Sequence, residues 1–482
     1  MMHEYSRRDF LKVSGMGVAA TVATKVVAET PLSSVPDDRG STPRGPISVC
    51  TTSDNRRLSQ GHAIAWQPAP AATAHDAVVI DPGKTFQDLL GIGAAFTDAS
   101  CYNFNRLTSA QREELFHTLF HPREMGMNVC RTCVGSSDYS RQVYSYDEGD
   151  PDPDLKRFSI DYDRRYILPM LLQARQVNPD LFLFSSPWSP PGWMKANGSM
   201  LGGSMRRYYM SSYAQYFLKF IEGYESEGVP VQAITVQNEV DTDQDGRMPA
   251  CIWPQEYEAD FVGKFLGPLL QKSRPQTQIW IIDHNYSLWG RAMDELEMPE
   301  VRKYAHSVAW HGYAGEPEWI QRVQRAHPNV GMHWTEGGPD YTDPNYGTDW
   351  ANWSQTFTGV LRNCCRSITA WNLALDEHGK PNIGPFFCGG LVTIHSETNA
   401  LSYSGQFWAM AHYSRFLRRG AQRVDSQSPA DELDHVAFRN PDESGVLVIT
   451  NRGAKRTVQI KMSDAIATAP LDPNSVNTFT WT

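Results

Sequence analysis

Two glutamates draw attention by type and position. Glu239 closes Val236-Gln-Asn-Glu239 and Glu336 closes Met332-His-Trp-Thr-Glu336, each following a strongly apolar run. Carboxylates at the ends of buried strands have shifted protonation, because burial and a like charge nearby both disfavour ionisation. Such a pair can divide acid and nucleophile work. One carboxyl gives a proton to a leaving oxygen, while the other, ionised, attacks carbon or activates water. Competing motifs are weaker. Gly91-Ile-Gly93-Ala-Ala-Phe96 is one residue short of a dinucleotide fingerprint, and close backbone packing at the first strand accounts for its glycines. Neither G-x-S-x-G nor H-E-x-x-H occurs. Asp241-Thr-Asp243-Gln-Asp245-Gly246 matches half a calcium loop, but Ile252 stands where a bidentate Glu is needed. An acidic, solvated loop beside the site is the better reading, and no metal or cofactor is expected. With 14 Trp, 20 Tyr and 20 Phe in the chain, two carboxylates point to a glycosidic bond, since aromatic faces suit flat, weakly polar sugars.

These residues need a frame that brings distant strand ends together. Strand-like runs recur at Gly91–Thr97, Asn128–Val134, Leu181–Ser186 and Gln232–Gln237, then at Gln278–Asp283, His306–Trp310, Val330–Thr335 and Ser367–Leu373. Helical patterns lie between them. Tyr213, Tyr216, Phe217, Phe220, Ile221 and Tyr224 form one apolar face, and Thr108–Phe120 carries another. Eight such units predict an α/β fold, a (β/α)8 TIM barrel over residues 86–405, with chemistry at the C-terminal strand ends. Trp188, Trp193, Tyr313, Trp334 and Trp371 all fall at or beside those ends. Val436–Arg439, Val446–Thr450, Thr457–Met462 and Thr478–Thr482 read as strands of a small β-sandwich. That sandwich is expected to combine residues 46–85 with 406–482.

Lys and Arg total 44 against 54 Asp and Glu, a formal net charge of −10. Without a basic stripe, no electrostatic footprint for nucleic acid or anionic lipid exists. Residues 1–28 carry Ser-Arg7-Arg8-Asp-Phe-Leu-Lys, a short apolar stretch and Val26-Val-Ala28, the pattern of a twin-arginine-type export signal. Residues 29–45 read as a linker. A periplasmic or extracellular protein with no transmembrane segment is the expectation. Cys130 and Cys133 have redox or zinc spacing, but residues three apart on a strand face opposite ways, so both read as buried structural thiols.

Over about Phe86 to Val424 the chain resembles glycoside hydrolase family 30, most closely its glucosylceramidase branch. The resemblance rests on Gly91-x-Gly-x-Ala-x-Thr-Asp98, Arg131, Ser137-Asp138 and Ser186-Pro-Trp-Ser-Pro-Pro-Gly-Trp-Met-Lys-x-Asn-Gly198. It continues through Thr235-x-Gln-Asn-Glu239, His311-x-Tyr313, Thr335-Glu336 and Trp371-Asn-Leu-Ala-Leu375. It implies a retaining β-glycosidase with Glu239 as acid/base and Glu336 as nucleophile. Asp138, Trp188, Asn238, Tyr313 and Trp371 would bind the sugar, Asp138 accepting from its hydroxyls, and Arg131 and His311 would support the carboxylates. The implied substrate is a β-glucoside or related carbohydrate or glycolipid, with β-1,6-glucan, xylan and β-xyloside cleavage as alternatives. An inactive carbohydrate-binding protein is the non-enzymatic alternative. Three departures bear on specificity: Gly312 between His311 and Tyr313, Phe386 in place of a sugar-binding Asn, and Gly337-Gly338 after Glu336.

Overall fold

Apolar runs punctuated by polar turns become eight parallel strands: Gly91–Phe96, Val129–Cys133, Phe182–Ser186, Ala233–Thr235, Gln278–Asn285, Ala305–His311, Gly331–Glu336 and Cys365–Asn372. They pair in chain order, and the eighth closes on the first with Ile368 opposite Ile92. The computed structural model describes residues 45–69 and 75–482. The export signal read in residues 1–28 and almost all of the expected linker lie outside them. No helix among the described residues is long and apolar enough to cross a membrane.

The glycines of the first strand permit this closure. A Cβ on Gly93 would lie 2.0 Å from the Val129 carbonyl oxygen, so only hydrogen fits between the first two strands. Inside the barrel, Val129, Phe184, Ala233, Trp280 and Ala309 fill one layer, and Trp280 stacks on His333 at 4.0 Å. Outside, the helix Met210–Ser226 buries Tyr213, Tyr216, Phe217, Phe220, Ile221 and Tyr224 on the face its spacing predicts. Each large apolar side chain so buried contributes about 1.5–3 kcal/mol. Thr108 caps the helix Ser109–Phe120 in a reciprocal box with Gln111. Cys130 packs outward with the helices and Cys133 inward beside Trp188 and Trp371, as strand alternation requires. All eight cysteines are free thiols.

The second layer of architecture draws strands from both ends of the chain. Its order runs Arg56–Gln60, Ser48–Ser53, Ser475–Trp481, Gly445–Asn451, Leu433–Arg439, Gln422–Gln427, Ala77–Asp88, Arg456–Met462, Ala465–Leu471 and Gln67–Pro68. The helix Gly405–Ser414 packs against the first barrel strand and the helix Trp350–Arg362, and so begins the chain's passage from barrel to sandwich. On its buried face, His412 bridges the sandwich, its Nδ1 3.0 Å from Thr478 Oγ1 and its Nε2 2.8 Å from Thr52 Oγ1.

Burial, then Arg415, pushes His412 down to about 3, and burial, then Arg362, does the same to His435 on strand Leu433–Arg439. Both imidazoles are neutral in the fold and titrate near 6.5 when unfolded, so the unfolded chain binds more protons between those values. Stability is therefore lost as pH falls below 6.5 toward 3, at about 1.4 kcal/mol per pH unit per histidine. Urea unfolding midpoints from pH 7 to 4.5 should fall less steeply for His412→Gln than for the wild type. Parallel slopes would show that His412 carries no such linkage.

Candidate active site

A single arginine organises the mouth of the barrel. Arg131, inward-facing on the second strand and 0% exposed, donates from Nε to Ser186 Oγ (3.0 Å) and from Nη2 to Asp283 Oδ2 (2.8 Å). Nη2 also reaches Asn238 Oδ1 at 2.6 Å, and Nη1 bonds Glu336 Oε2. Because guanidinium only donates, Asn238 must turn its oxygen to Arg131, which leaves its amide nitrogen free to donate elsewhere. Asp283 is the counter-ion beneath. Its Oδ2 also accepts from Ser186 Oγ (2.8 Å) and Thr235 Oγ1 (2.7 Å), and its Oδ1 from Thr335 Oγ1 (2.7 Å) and His311 Nε2 (3.1 Å). Burial alone would raise this carboxyl, but Arg131 and then His311 outweigh it and hold Asp283 well below the usual carboxylate range.

Asp283 owes its inward aim to a β-bulge. Ala309 pairs with Ile282 and Trp310 with His284, so Asp283 is an extra residue on the fifth strand. Trp280 faces the interior while Ile281 and Ile282 both face the helices, and the skipped position then swings Asp283 to the centre. The bulge has left-handed backbone at Ile282 (φ 75°) and Asp283 (φ 47°), costly for a β-branched residue. It is held from outside the barrel. Glu258, on the helix Gln255–Asp260, accepts the Ile282 amide at 2.9 Å, and Arg291 fixes Glu258 at 2.6 Å.

Above this floor lies a cavity of about 380 Å³ lined by Asp138, Trp188, Asn238, Glu239, Tyr313, Glu336 and Trp371. The structure thus gathers every expected sugar-binding residue and both carboxylates around one space, with Arg131 and His311 beneath. His311 stands between the glutamates, its Nδ1 3.6 Å from Glu239 Oε1 and its Nε2 3.8 Å from Glu336 Oε2. Burial would lower this histidine, but Glu336, Asp283 and Glu239 raise it to about 9, so the imidazole is cationic at neutral pH. Glu239 feels the reciprocal pull. Burial raises it, yet His311, His284 and Gln244 bring it below its ordinary value, with Gln244 Nε2 donating to Oε2 at 2.7 Å. Tyr313 is 48% exposed, and its hydroxyl turns inward to Glu336 Oε1 at 3.2 Å.

Trp188 and Trp371 stack at 4.8 Å, with the Arg131 guanidinium 4.7 Å from the first ring and 5.4 Å from the second. They form one cationic–aromatic wall. Burial, then Glu336 and Glu239, pushes Asp138 well above the usual range, and its buried Oδ1 has no partner in the protein. Asp138, which lines the cavity, thus keeps one carboxyl oxygen without a protein partner. Two expected aromatics stay outside: Trp193 donates to the Asp147 carbonyl, and Trp334 packs among the helices. Trp334 also explains Gly312, where a Cβ would lie 2.9 Å from the indole nitrogen. Phe386 does line the cavity.

Sequence reasoning left four contributors out: Asp283, His284, Asp241 and Gln244. The loop from Asp241 to Gly246, expected to be a solvated acidic stretch, places Gln244 on Glu239 and Asp241 Oδ1 2.8 Å from His284 Nε2. Those attachments were signalled only by the residues' nearness in sequence to Glu239 and to the fifth strand's end.

Two family models cover almost all of the described chain: the glycosyl hydrolase family 30 TIM-barrel domain over residues 89–417 and the glycosyl hydrolase family 30 beta sandwich domain over 420–479. The chain belongs to glycosyl hydrolase family 30. Among its family 30 relatives, an endo-1,6-beta-D-glucanase of Neurospora crassa is 31% identical over 431 residues, covering 84% of this chain and 88% of that enzyme. The lysosomal acid glucosylceramidase of Mus musculus is 29% identical over 427 residues, covering 84% and 83%. The crystal structure of SrfJ from Salmonella typhimurium superposes with a TM-score of 0.86 at 25% identity, covering 91% of this chain and 99% of that one. This family 30 member is a glycoside hydrolase acting on carbohydrate, and its relatives include proteins named as glucanases and as glucosylceramidases.

Proposed function

We propose that the protein is a retaining β-glucosidase of the exported compartment, cleaving β-1,6-linked glucan by double displacement. The observation that carries the mechanism is the placement of two glutamates around one cavity with different partners. Glu336 is clamped by Arg131 and Tyr313, which aim it at an anomeric carbon. Glu239 lies 3.6 Å from the cationic His311 and faces the leaving oxygen. In the first step the Glu336 oxygen forms a bond to the anomeric carbon as the glycosidic C–O bond breaks. The proton carried by His311 passes through Glu239 to the departing oxygen. Water then attacks the glycosyl ester, giving its proton to Glu239. Asn238, its amide nitrogen freed by Arg131, donates to the sugar 2-hydroxyl, a bond that strengthens as positive charge grows at the anomeric centre.

The 1,6-glucan assignment is supported by the named glucanase relatives. A second reading, a glucoside with an apolar aglycone such as glucosylceramide, is supported by Phe386 and Phe387, 40% and 58% exposed, with Phe386 on the cavity wall. Initial rates on β-1,6-glucan, glucosylceramide and aryl β-glucosides separate the two, and negligible glucan cleavage beside rapid ceramide release would replace the first with the second. The twin-arginine-type leader read from residues 1–28 supports export.

Glu239→Ala should lower kcat on poor leaving groups by roughly 10²–10⁴-fold, the usual worth of a positioned acid. Dinitrophenyl glucosides, whose leaving groups need no proton, should be spared in the first step, and azide should restore turnover as β-glucosyl azide. Equal losses on both substrate types would remove Glu239 from the acid/base role.

A further inference from the structure

The acid/base glutamate sits in a second geometry that glycoside cleavage does not require. Glu239 Oε1 lies 3.8 Å from His284 Nδ1 and 3.6 Å from His311 Nδ1, and the three ligand atoms fall within 4.8 Å of one another. Both Nδ1 atoms are buried and have no hydrogen-bond partner in the protein. Each imidazole has its other nitrogen on a carboxylate: His284 Nε2 on Asp241 Oδ1 at 2.8 Å and His311 Nε2 on Asp283 Oδ1 at 3.1 Å. A carboxylate behind a histidine fixes its orientation and raises its basicity as a metal ligand.

We infer that Glu239, His284 and His311 form a binding site for a divalent transition-metal ion, zinc above all, that inhibits the enzyme by occupying its acid/base group. Ligand atoms about 2.0–2.1 Å from a tetrahedral zinc lie about 3.3 Å apart, so the two edges from Glu239 Oε1 need a contraction of a few tenths of an ångström, and the edge between the imidazoles, within 4.8 Å, closes by rotation of His284. Two imidazole nitrogens and one carboxylate oxygen suit Zn²⁺, Co²⁺ or Cu²⁺ and not Ca²⁺ or Mg²⁺, which take oxygen ligands in larger number. Glu239 and His284 both line the cavity, so the fourth position opens onto the space the glycoside enters. The ion takes the place of the His311 Nδ1 proton that faces Glu239, and no bond other than coordination is made. Inhibition rests on the proposed role of Glu239; the binding itself does not.

Cobalt reports on the site directly. Equilibrium dialysis of the metal-stripped full chain should give one Co²⁺ per chain, with the strong visible bands of a low-symmetry four- or five-coordinate ion, displaced by Zn²⁺ and not by Mg²⁺. His284→Gln and Glu239→Gln should each abolish that band. Asp241→Asn, which touches no ligand atom and changes a half-exposed side chain, should weaken binding by roughly 10–100-fold. Zinc absorption spectroscopy on the wild type should show nitrogen and oxygen neighbours near 2.0–2.1 Å. No saturable Co²⁺ binding by the wild type, or a site whose affinity His284→Gln leaves unchanged, would overturn the proposal. Stoichiometric binding without competitive inhibition would keep the site and overturn the role given to Glu239.

Discussion

Glu336→Gln should reduce turnover by roughly 10⁴-fold or more on every β-glycoside, activated or not. The amide retains the shape and can still accept from Arg131 through its oxygen, so folding and sugar affinity should survive. What disappears is the negative charge that attacks the anomeric carbon and the ability to form a glycosyl ester. A better leaving group does not help, because the missing partner acts on the other side of the bond; this separates Glu336 from Glu239. Pre-steady-state release of dinitrophenol should show a burst in the wild type and none in the variant. Proton NMR of early product should show the β-anomer first. An α-anomer first would mean direct displacement by water, and the assignment of Glu336 as nucleophile would fall.

Asp283→Asn should cost more stability than any change at the cavity wall. Five donors converge on this carboxylate, from Arg131, Ser186, Thr235, Thr335 and His311. An amide offers one acceptor oxygen and introduces two N–H groups of its own. Arg131 is left buried beside a neutral group, and breaking a buried charge pair in this way costs about 3–5 kcal/mol. Chemical denaturation should show that loss. In whatever fraction folds, kcat/KM should fall as well, since Arg131 fixes both Asn238 and Glu336. Wild-type stability in the variant would mean that the network rearranges freely and that Asp283 does not organise it.

Much of the barrel was legible because its strands are apolar runs whose ends carry the polar chemistry, and Glu239 and Glu336 inherit their positions from that pattern. Asp283 was visible as a strand end but not as the counter-ion of Arg131. Strict alternation turns it away from the interior with Ile281, and only the bulge at Ile282–Asp283 reverses that parity. Loop geometry was likewise hidden. Asp241 and Gln244 look solvated in sequence, and their attachment to His284 and Glu239 depends on left-handed backbone at Glu239 (φ 56°) and Gln244 (φ 50°). In the sandwich, Ala465–Leu471 and Gln422–Gln427 escaped notice for opposite reasons. The first is rich in Ala with a Pro, poor strand formers, and the second is mostly polar; both are strands because their neighbours supply the missing edge.

The pairing of strand Ser48–Ser53 with strand Ser475–Trp481 sets an order on biosynthesis. The first of these can pair at once with Arg56–Gln60 on one edge, but its other edge must wait until Ser475–Trp481 has been made. Every barrel strand is available before then, so the barrel can assemble while the chain is still being made, but the sandwich cannot close. A nascent chain stalled anywhere before residue 475 carries an exposed strand edge, the kind of surface that recruits chaperones or joins other copies. Truncation at the carboxyl end should for that reason harm yield far more than its distance from the active site suggests.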